Sequence, residues 1–150
     1  MNREHVLPTA EDTRALGQSL AEVLQAGDLV VLVGPLGAGK TALTQGVGAG
    51  LGVREPVTSP TFVIARVHAG GRVPLVHVDA YRLGSVADVD DLDLDASTEA
   101  SVTVVEWGQG LVEQLADEHL VVELDRRDDD VRTARLVPVG PGWEQRLSAG

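Results

Sequence analysis

The hydrophobic and polar positions in the first third of the chain follow first a helical and then an extended pattern. Residues 10–25 carry apolar side chains on one helical face, and Thr9-Ala-Glu-Asp12 has the form of a capping box. Residues 29–33 form a continuous, mostly β-branched apolar run, as in a strand buried on both faces of a parallel sheet. Residues 41–51 repeat the helical spacing. The pattern predicts a helix, a buried strand, a glycine-rich turn and a second helix.

The rest of the chain is mainly strand-like. Two segments predict a hairpin closed by residues 69–72, and further segments predict another buried strand and a second hairpin. These strands are 61–67 with 73–78, then 101–105, then 119–124 with 132–137, and short helices are predicted after residue 85 and at 111–116. The fold class expected is α/β, with a mixed, mostly parallel central sheet flanked by helices. We expect one domain at 1–137 and a loosely ordered C-terminal tail at 138–150.

The composition narrows the classes of function. The chain has 150 residues, 43% of them hydrophobic, which is enough for one domain with a core. Its formal net charge of −11 opposes the counterion release that gives proteins their general affinity for nucleic acids. The absence of cysteine excludes disulfides, thiolate metal sites and thiol nucleophiles. Because no apolar run reaches the roughly 20 residues of a membrane span, we expect a soluble, cytoplasmic protein without a membrane partner.

One segment carries a phosphate-binding motif. Gly34-Pro-Leu-Gly-Ala-Gly39-Lys40-Thr41 fits G-x-x-x-x-G-K-[ST] and lies between the predicted buried strand and a helix, as this motif requires. The glycines allow successive N–H groups to converge on phosphates at the helix N-terminus. Lys40 would reach the β- and γ-phosphates, and the Thr41 hydroxyl would bind Mg²⁺. The sequence therefore predicts a P-loop NTPase that binds Mg-ATP.

The basic residues support this interpretation. Lys40 is the single lysine among 12 basic residues, and the others are arginine. A compact, mobile ammonium suits this position better than a guanidinium fork. Guanine-binding proteins usually need a second lysine in an N/T-K-x-D motif, so adenine is the expected base.

Two predicted strands end in carboxylates. Residues 75–79 end at Asp79 and residues 102–106 end at Glu106, and a buried strand end is a poor place for an unpaired negative charge. Either carboxylate could hold magnesium or orient the attacking water. Residues 59–62 lie where the first switch loop of nucleotide hydrolases lies, although they could also be an ordinary entry to a strand. His77 reads more simply as a core histidine.

Four motifs in this order and at these spacings resemble the bacterial TsaE family, the ATPases required for threonylcarbamoyladenosine synthesis on tRNA. They are Leu36-Gly-Ala-Gly-Lys-Thr41, Thr58-Ser-Pro-Thr-Phe62, His77-Val-Asp79-Ala-Tyr-Arg82-Leu83 and Val105-Glu106-Trp107. The resemblance covers residues 9–137. Two positions depart from the family: Gly108 follows the Glu-Trp pair where proline is common, and Ala80 stands where a larger apolar residue is common.

The resemblance implies a P-loop ATPase, weak alone and stimulated by a protein complex of the TsaD and TsaB type, which contacts tRNA. The tRNA would be met only indirectly. Catalytic roles are expected for Asp79, Lys40 and Glu106, and Mg²⁺ ligation for Thr41, Glu106 and Asp79. The residues expected to bind ATP and its product ADP are Thr13, Gly34, Gly37, Ala38, Gly39, Lys40, Thr41, Ala42, Ser59, Thr61 and Arg132.

Two other functions stay open at this point. A small-metabolite kinase would use Asp79 as general base and an arginine lid over the phosphates, formed by Arg126, Arg127, Arg132 and Arg135. A non-catalytic module would bind ATP only to order residues 59–62 for docking.

Overall fold

The computed structural model describes residues 3–34, 39–53, 65–68, 71–79, 101–106, 118–129 and 131–149. These residues form seven strands and three helices. The strands are β1 (Glu4–Leu7), β2 (Leu29–Val33), β3 (Ala65–His68), β4 (Leu75–Asp79), β5 (Val102–Glu106), β6 (His119–Arg126) and β7 (Arg132–Val139), and the helices are α1 (Ala10–Val23), α2 (Lys40–Leu51) and α3 (Pro141–Ala149). None of these helices has the length and apolar character needed to cross a membrane.

All seven strands form one sheet, in the order β1-β7-β6-β2-β5-β4-β3. The four central strands, β6, β2, β5 and β4, run parallel to one another. The strands outside them, β7, β1 and β3, each pair antiparallel with a neighbour. This arrangement confirms the predicted α/β fold with a mixed sheet, and it places β2 in the middle of the sheet.

The central strands are apolar because both of their faces are covered. Val30, Val31 and Leu32 of β2 are each at most 1% exposed, although their side chains alternate between the two faces. Val104 and Val105 of β5 are buried in the same way. One face packs against α1 and α2 in a single hydrophobic cluster. The continuous apolar runs in the sequence therefore correspond to a parallel sheet with two buried faces.

The predicted capping box fixes the start of α1. The Thr9 backbone N–H donates to Oδ2 of Asp12 at 2.9 Å, and the Asp12 backbone N–H donates to Oγ1 of Thr9 at 3.3 Å. These bonds satisfy two of the backbone donors that a helix N-terminus leaves free. The helix ends at Val23, two residues before the predicted end, because Leu24 adopts an extended conformation.

Glycine residues bring α1 and α2 into backbone contact. A Cβ atom on Gly46 of α2 would overlap the Arg14 backbone, and one on Gly17 of α1 would overlap the Leu43 carbonyl oxygen. Gly50 lies equally close to α1, next to Ala21. Glycine inside a helix costs about 1 kcal/mol relative to alanine. The close packing of the two helices explains why glycine nevertheless stands at these positions.

The C-terminal segment corrects one prediction. The loose tail expected at 138–150 is wrong for the described part, because β7 continues to Val139 and α3 follows it. Trp143 and Leu147, four residues apart on α3, are only 2% and 1% exposed. Arg146 donates to Asp28 at 2.6 Å and lies over the Trp143 ring, 4.6 Å from its centroid. Two apolar residues at helical spacing and one buried ion pair are enough to hold this short helix.

The remaining secondary-structure predictions divide into two groups. Both predicted hairpins are confirmed in their described parts, since β3 pairs antiparallel with β4, and β6 with β7. The short helices predicted after residue 85 and at 111–116, and residues 61–64 of the first hairpin, lie outside the described residues. Strand β1 was not predicted, because a run of four residues is too short to show a period.

Candidate functional site

The candidate site lies at the edge of the sheet where the parallel strands end. Asp79, the last residue of β4, pairs in register with Glu106, the last residue of β5, and Glu106 pairs with Leu32 of β2. The turn after β2 leads directly into α2 at Lys40. Ligands of open α/β sheets bind outside the carboxyl ends of the strands. The topology therefore brings both predicted carboxylates to the edge that carries the glycine-rich turn.

The described ends of the glycine-rich turn require glycine for different reasons. At Gly34 a Cβ atom would overlap the carbonyl oxygen of Leu124 on β6. Gly39 precedes α2 in a left-handed conformation, with φ of 102°, which residues with a side chain rarely adopt. No side chain caps the N-terminus of α2 at Gly39. A helix N-terminus that follows a glycine-rich turn in this way is a common anion-binding position in proteins.

Lys40 is buried against the turn that precedes it. The residue is only 7% exposed, and its Nζ donates to the carbonyl oxygen of Gly34 at 2.8 Å. The first turn of α2 is held by Thr44, whose Oγ1 donates to the Lys40 carbonyl oxygen at 2.9 Å. The Lys40 side chain thus reaches back to Gly34, the first residue of the turn. Thr41 and Ala42, the next two residues of α2, are partly exposed.

Glu106 brings a buried carboxylate to the same edge. The residue is 4% exposed, and its Oε1 has no hydrogen-bond partner in the described structure. The nearest described ionisable group is His77 of β4, whose Nε2 lies 3.6 Å from Oε2 of Glu106, beyond hydrogen-bond distance. A buried carboxylate oxygen without a donor is unfavourable unless a cation or ligand approaches it.

Thr13 and Arg132 both lie at the edge of the sheet where the parallel strands end. Thr13 of α1 is 1% exposed, and its methyl group faces Gly39, since a Cβ atom there would lie 3.4 Å from it. Arg132 begins β7, opposite Leu7 of β1 and Arg126 of β6. Thr13 therefore contacts the end of the turn through its methyl group, and its predicted approach to adenine stays a prediction.

Other predicted residues cannot be placed. Gly37, Ala38, Ser59 and Thr61 lie outside the described residues, and only the backbone position of Asp79 is described. Among the described residues, no group of three or more histidine, aspartate or glutamate side chains could hold a metal ion. That finding is compatible with Mg²⁺, which proteins commonly bind through one or two carboxylates while substrate phosphates and water complete the coordination.

A groove beside the turn was not predicted from the sequence. It has a volume of about 760 Å³ and begins at Val33 and Gly34. Its other walls are β1, β6 and β7, with a mixed charge lining from Glu4, His5, Glu123, Asp125 and Arg135. No pattern in the sequence indicates this groove, because β1 forms one of its walls and is too short to recognise.

Three comparisons relate the chain to known proteins. The family model for threonylcarbamoyl adenosine biosynthesis protein TsaE matches residues 7–135. The tRNA threonylcarbamoyladenosine biosynthesis protein TsaE of Streptomyces coelicolor is 56% identical over 137 residues, covering 87% of this chain and 93% of that protein. Its Mycobacterium tuberculosis counterpart is 51% identical over 129 residues, covering 80% and 77%. The crystal structure of YdiB from Bacillus subtilis superposes with a TM-score of 0.82 at 31% identity, covering 97% of this chain and 91% of that one.

Proposed function

The chain belongs to the TsaE family of tRNA threonylcarbamoyladenosine biosynthesis, and we propose that it is the ATP-binding and ATP-hydrolysing subunit of that process. It acts on a transferase complex of the TsaD and TsaB type through a nucleotide-dependent switch. It meets tRNA only through that complex. The net charge of −11 supports this indirect role, because an acidic protein gains little from counterion release on RNA.

The position of Lys40 is the observation that carries the proposal. The residue is buried and its ammonium group lies 2.8 Å from the carbonyl oxygen of Gly34, so a positive charge lies against the first residue of the turn. Buried charges in proteins are paired or hydrogen-bonded, so an ammonium group in this position suits an anionic ligand. Helix α2 begins at Lys40 and adds the positive end of its dipole at the same end of the turn. Together they favour the β- and γ-phosphates of a nucleotide.

The residues beside the turn fit Mg²⁺. Thr41 supplies a hydroxyl in the first turn of α2, and Glu106 supplies a buried carboxylate whose Oε1 has no donor within the described residues. Oxygen atoms of this kind are the ligands that Mg²⁺ prefers. Thr41 and Glu106 would hold the ion, together with Asp79. When bound, the ion would neutralise negative charge on the phosphate oxygens.

Hydrolysis needs few further groups. Water attacks the γ-phosphorus atom, the bond to the bridging oxygen breaks, and ADP and inorganic phosphate leave. Lys40 stabilises the charge on the phosphate oxygens. Asp79 is in register with Glu106 at the strand ends, where it would orient the attacking water. Ser59 and Thr61 would sense the γ-phosphate and couple hydrolysis to docking on the partner complex.

Phosphate release from Mg-ATP tests this proposal. We expect slow release by the full chain alone and faster release with the TsaD and TsaB type complex. Lys40→Ala and Lys40→Arg should both lose most of the activity, because neither keeps a compact ammonium at this position. Arg127→Ala is the matched control, since this exposed residue pairs with Asp129 in the turn between β6 and β7.

The same experiment separates the alternatives. Fast transfer of phosphate to a small acceptor without any partner, lost in Arg127→Ala, would indicate a kinase with an arginine lid. Nucleotide-dependent capture of the transferase complex without phosphate release would indicate a binding module. Full activity of Lys40→Ala would contradict the assignment of the phosphate site.

A further inference from the structure

His77 is a buried polar residue whose ring makes no hydrogen bond to any described residue. The residue is 0% exposed in the middle of β4, and both Nδ1 and Nε2 lack a hydrogen-bond partner in the part of the chain that the structure describes. Buried polar groups in proteins are nearly always hydrogen-bonded, so this exception needs a reason. Packing alone does not provide one, because an apolar residue of similar size would fill the same space without the desolvation penalty.

The geometry relates His77 to Glu106. His77 pairs in register with Val104, two residues before Glu106 on β5, so the strand register places His77 and Glu106 on the same face of the sheet. The distance from Nε2 of His77 to Oε2 of Glu106 is 3.6 Å, about 0.7 Å longer than a typical N–H···O bond. Oε1 of Glu106 has no hydrogen-bond partner among the described residues. The imidazole therefore lies on the core side of a carboxylate at the strand end.

We propose that His77 is a positioning residue for Glu106: a shift of about 0.7 Å from the present 3.6 Å lets its Nε2–H group donate to Oε2 and leaves Oε1 as the oxygen offered to magnesium. This inference rests on the proposed function, because His77 can position Glu106 for magnesium only if Glu106 binds that ion. The histidine itself does not react. It restricts the rotation of a carboxylate that would otherwise have no fixed partner. Hydrogen-bond partners of this kind typically change metal affinity about 10- to 100-fold.

Two substitutions of His77 test the proposal. His77→Leu removes both ring nitrogens and keeps an apolar side chain of similar size, whereas His77→Gln keeps an N–H donor of similar reach. The measurement is the affinity for a fluorescent ADP analogue at increasing Mg²⁺ concentration and in EDTA. We expect His77→Leu to require about 10- to 100-fold more Mg²⁺ for the half-maximal effect. His77→Gln should stay within about threefold of the wild type, and affinity in EDTA should be unchanged in both.

Thr103→Val is the matched control. Thr103 is also fully buried on β5, and its Oγ1 also lacks a described partner, but it lies on the opposite face of the strand. Removing its hydroxyl should leave the Mg²⁺ dependence unchanged. If His77→Leu fails to fold, nitrogen-15 spectra of the wild-type imidazole with Mg-ADP provide the readout. A proton on Nε2 in slow exchange supports the proposal, and a bare Nε2 overturns it.

Failure of the inference and failure of the proposed function give different results. If the wild type depends on Mg²⁺ and His77→Leu behaves identically, only the positioning role is overturned. A His77→Gln variant as impaired as His77→Leu has the same meaning, because the donor would then be irrelevant. If the wild-type protein binds ADP equally well with Mg²⁺ and with EDTA, the magnesium site itself is overturned, and the role of His77 with it.

Discussion

The contact between α1 and α2 and the strand ends at Glu106 are both buried, but they differ in how completely their groups are satisfied. In the helix pair, backbone meets backbone at Gly17, Gly46 and Gly50, and no space for a methyl group remains. At the strand ends, ring nitrogens of His77 and a carboxylate oxygen of Glu106 have no described partner. The first region is completely packed within the folded chain, whereas the second keeps polar atoms that have no partner among the described residues.

Helix α2 joins the two regions. Its middle and its C-terminal half pack on α1, while its first residue, Lys40, closes the glycine-rich turn. A rigid helix can hold an N-terminus in place for an anion only if the rest of the helix cannot shift. Substitutions in the helix pair should therefore change stability, and substitutions at the strand ends should change ligand binding.

The largest effect is expected from Gly46→Ala. The added methyl group would overlap the Arg14 backbone, so the two helices must separate, and the free energy of unfolding should fall by about 3 kcal/mol. Urea unfolding measures this loss. Ala49→Ser, on the exposed side of the same helix, is the control and should change stability by less than about 0.5 kcal/mol. If Gly46→Ala is more stable than the wild type, as helix propensity alone predicts, then α1 and α2 are not packed as tightly as described.

Bound nucleotide should stabilise the protein, because it would provide partners for the polar groups at the strand ends near Glu106. Mg-ADP at 100 times its dissociation constant is expected to stabilise the wild type by about 2.7 kcal/mol, or roughly 5 to 10 °C in melting temperature. Differential scanning calorimetry with and without EDTA measures it. Lys40→Ala should show almost no shift. An unchanged melting temperature of the wild type at saturating nucleotide would mean that the strand ends do not take this ligand.

Glu106→Gln sharpens the comparison because its two effects have opposite signs. Removing a buried charge whose Oε1 has no described partner, while keeping an amide oxygen that can still accept from His77, should raise the free energy of unfolding of the ligand-free protein by about 2 kcal/mol. The same variant should lose the Mg²⁺-dependent part of the nucleotide shift. Chemical unfolding without ligand and thermal shifts with Mg-ADP measure the two effects. A destabilised ligand-free variant would show that Glu106 is already satisfied within the protein.

The smallest effect is expected from Thr9→Ala. It removes the side-chain acceptor for the Asp12 N–H and should lower the free energy of unfolding by about 1 kcal/mol. The affinity for Mg-ADP should not change beyond what lower stability explains. Thr9→Ser keeps the cap and serves as the control. A selective loss of nucleotide affinity would place the start of α1 in the ligand site.

The sequence predicted the parallel core of the fold because its signals are local and strong. Continuous apolar runs identified β2 and β5, and the capping box identified the start of α1. Strand β1 and helix α3 were missed because each depends on distant partners: β1 on β7, and α3 on Asp28 through Arg146. Neither shows enough residues of one period to be recognised alone.

The site divides in the same way. The motif around Lys40 could be identified because its spacing is specific, and Asp79 and Glu106 because each ends an apolar strand. His77 was read as a core residue, and its burial agrees with that interpretation. Its distance to Glu106 depends on strand register, which a sequence alone does not fix. Whether a buried polar group has a hydrogen-bond partner likewise depends on the folded structure and cannot be read from the sequence.

The ion pair between Asp28 and Arg146 has a practical consequence for protein engineering. Asp28 precedes β2, about 17 Å along the strand from the glycine-rich turn, so α3 is anchored at the far end of the sheet. Fusion of a reporter after α3 would therefore stay away from the edge that carries the glycine-rich turn. Deletion of 139–149 should lower the stability of the fold, because it removes Trp143 and Leu147 from the core and the ion-pair partner of Asp28.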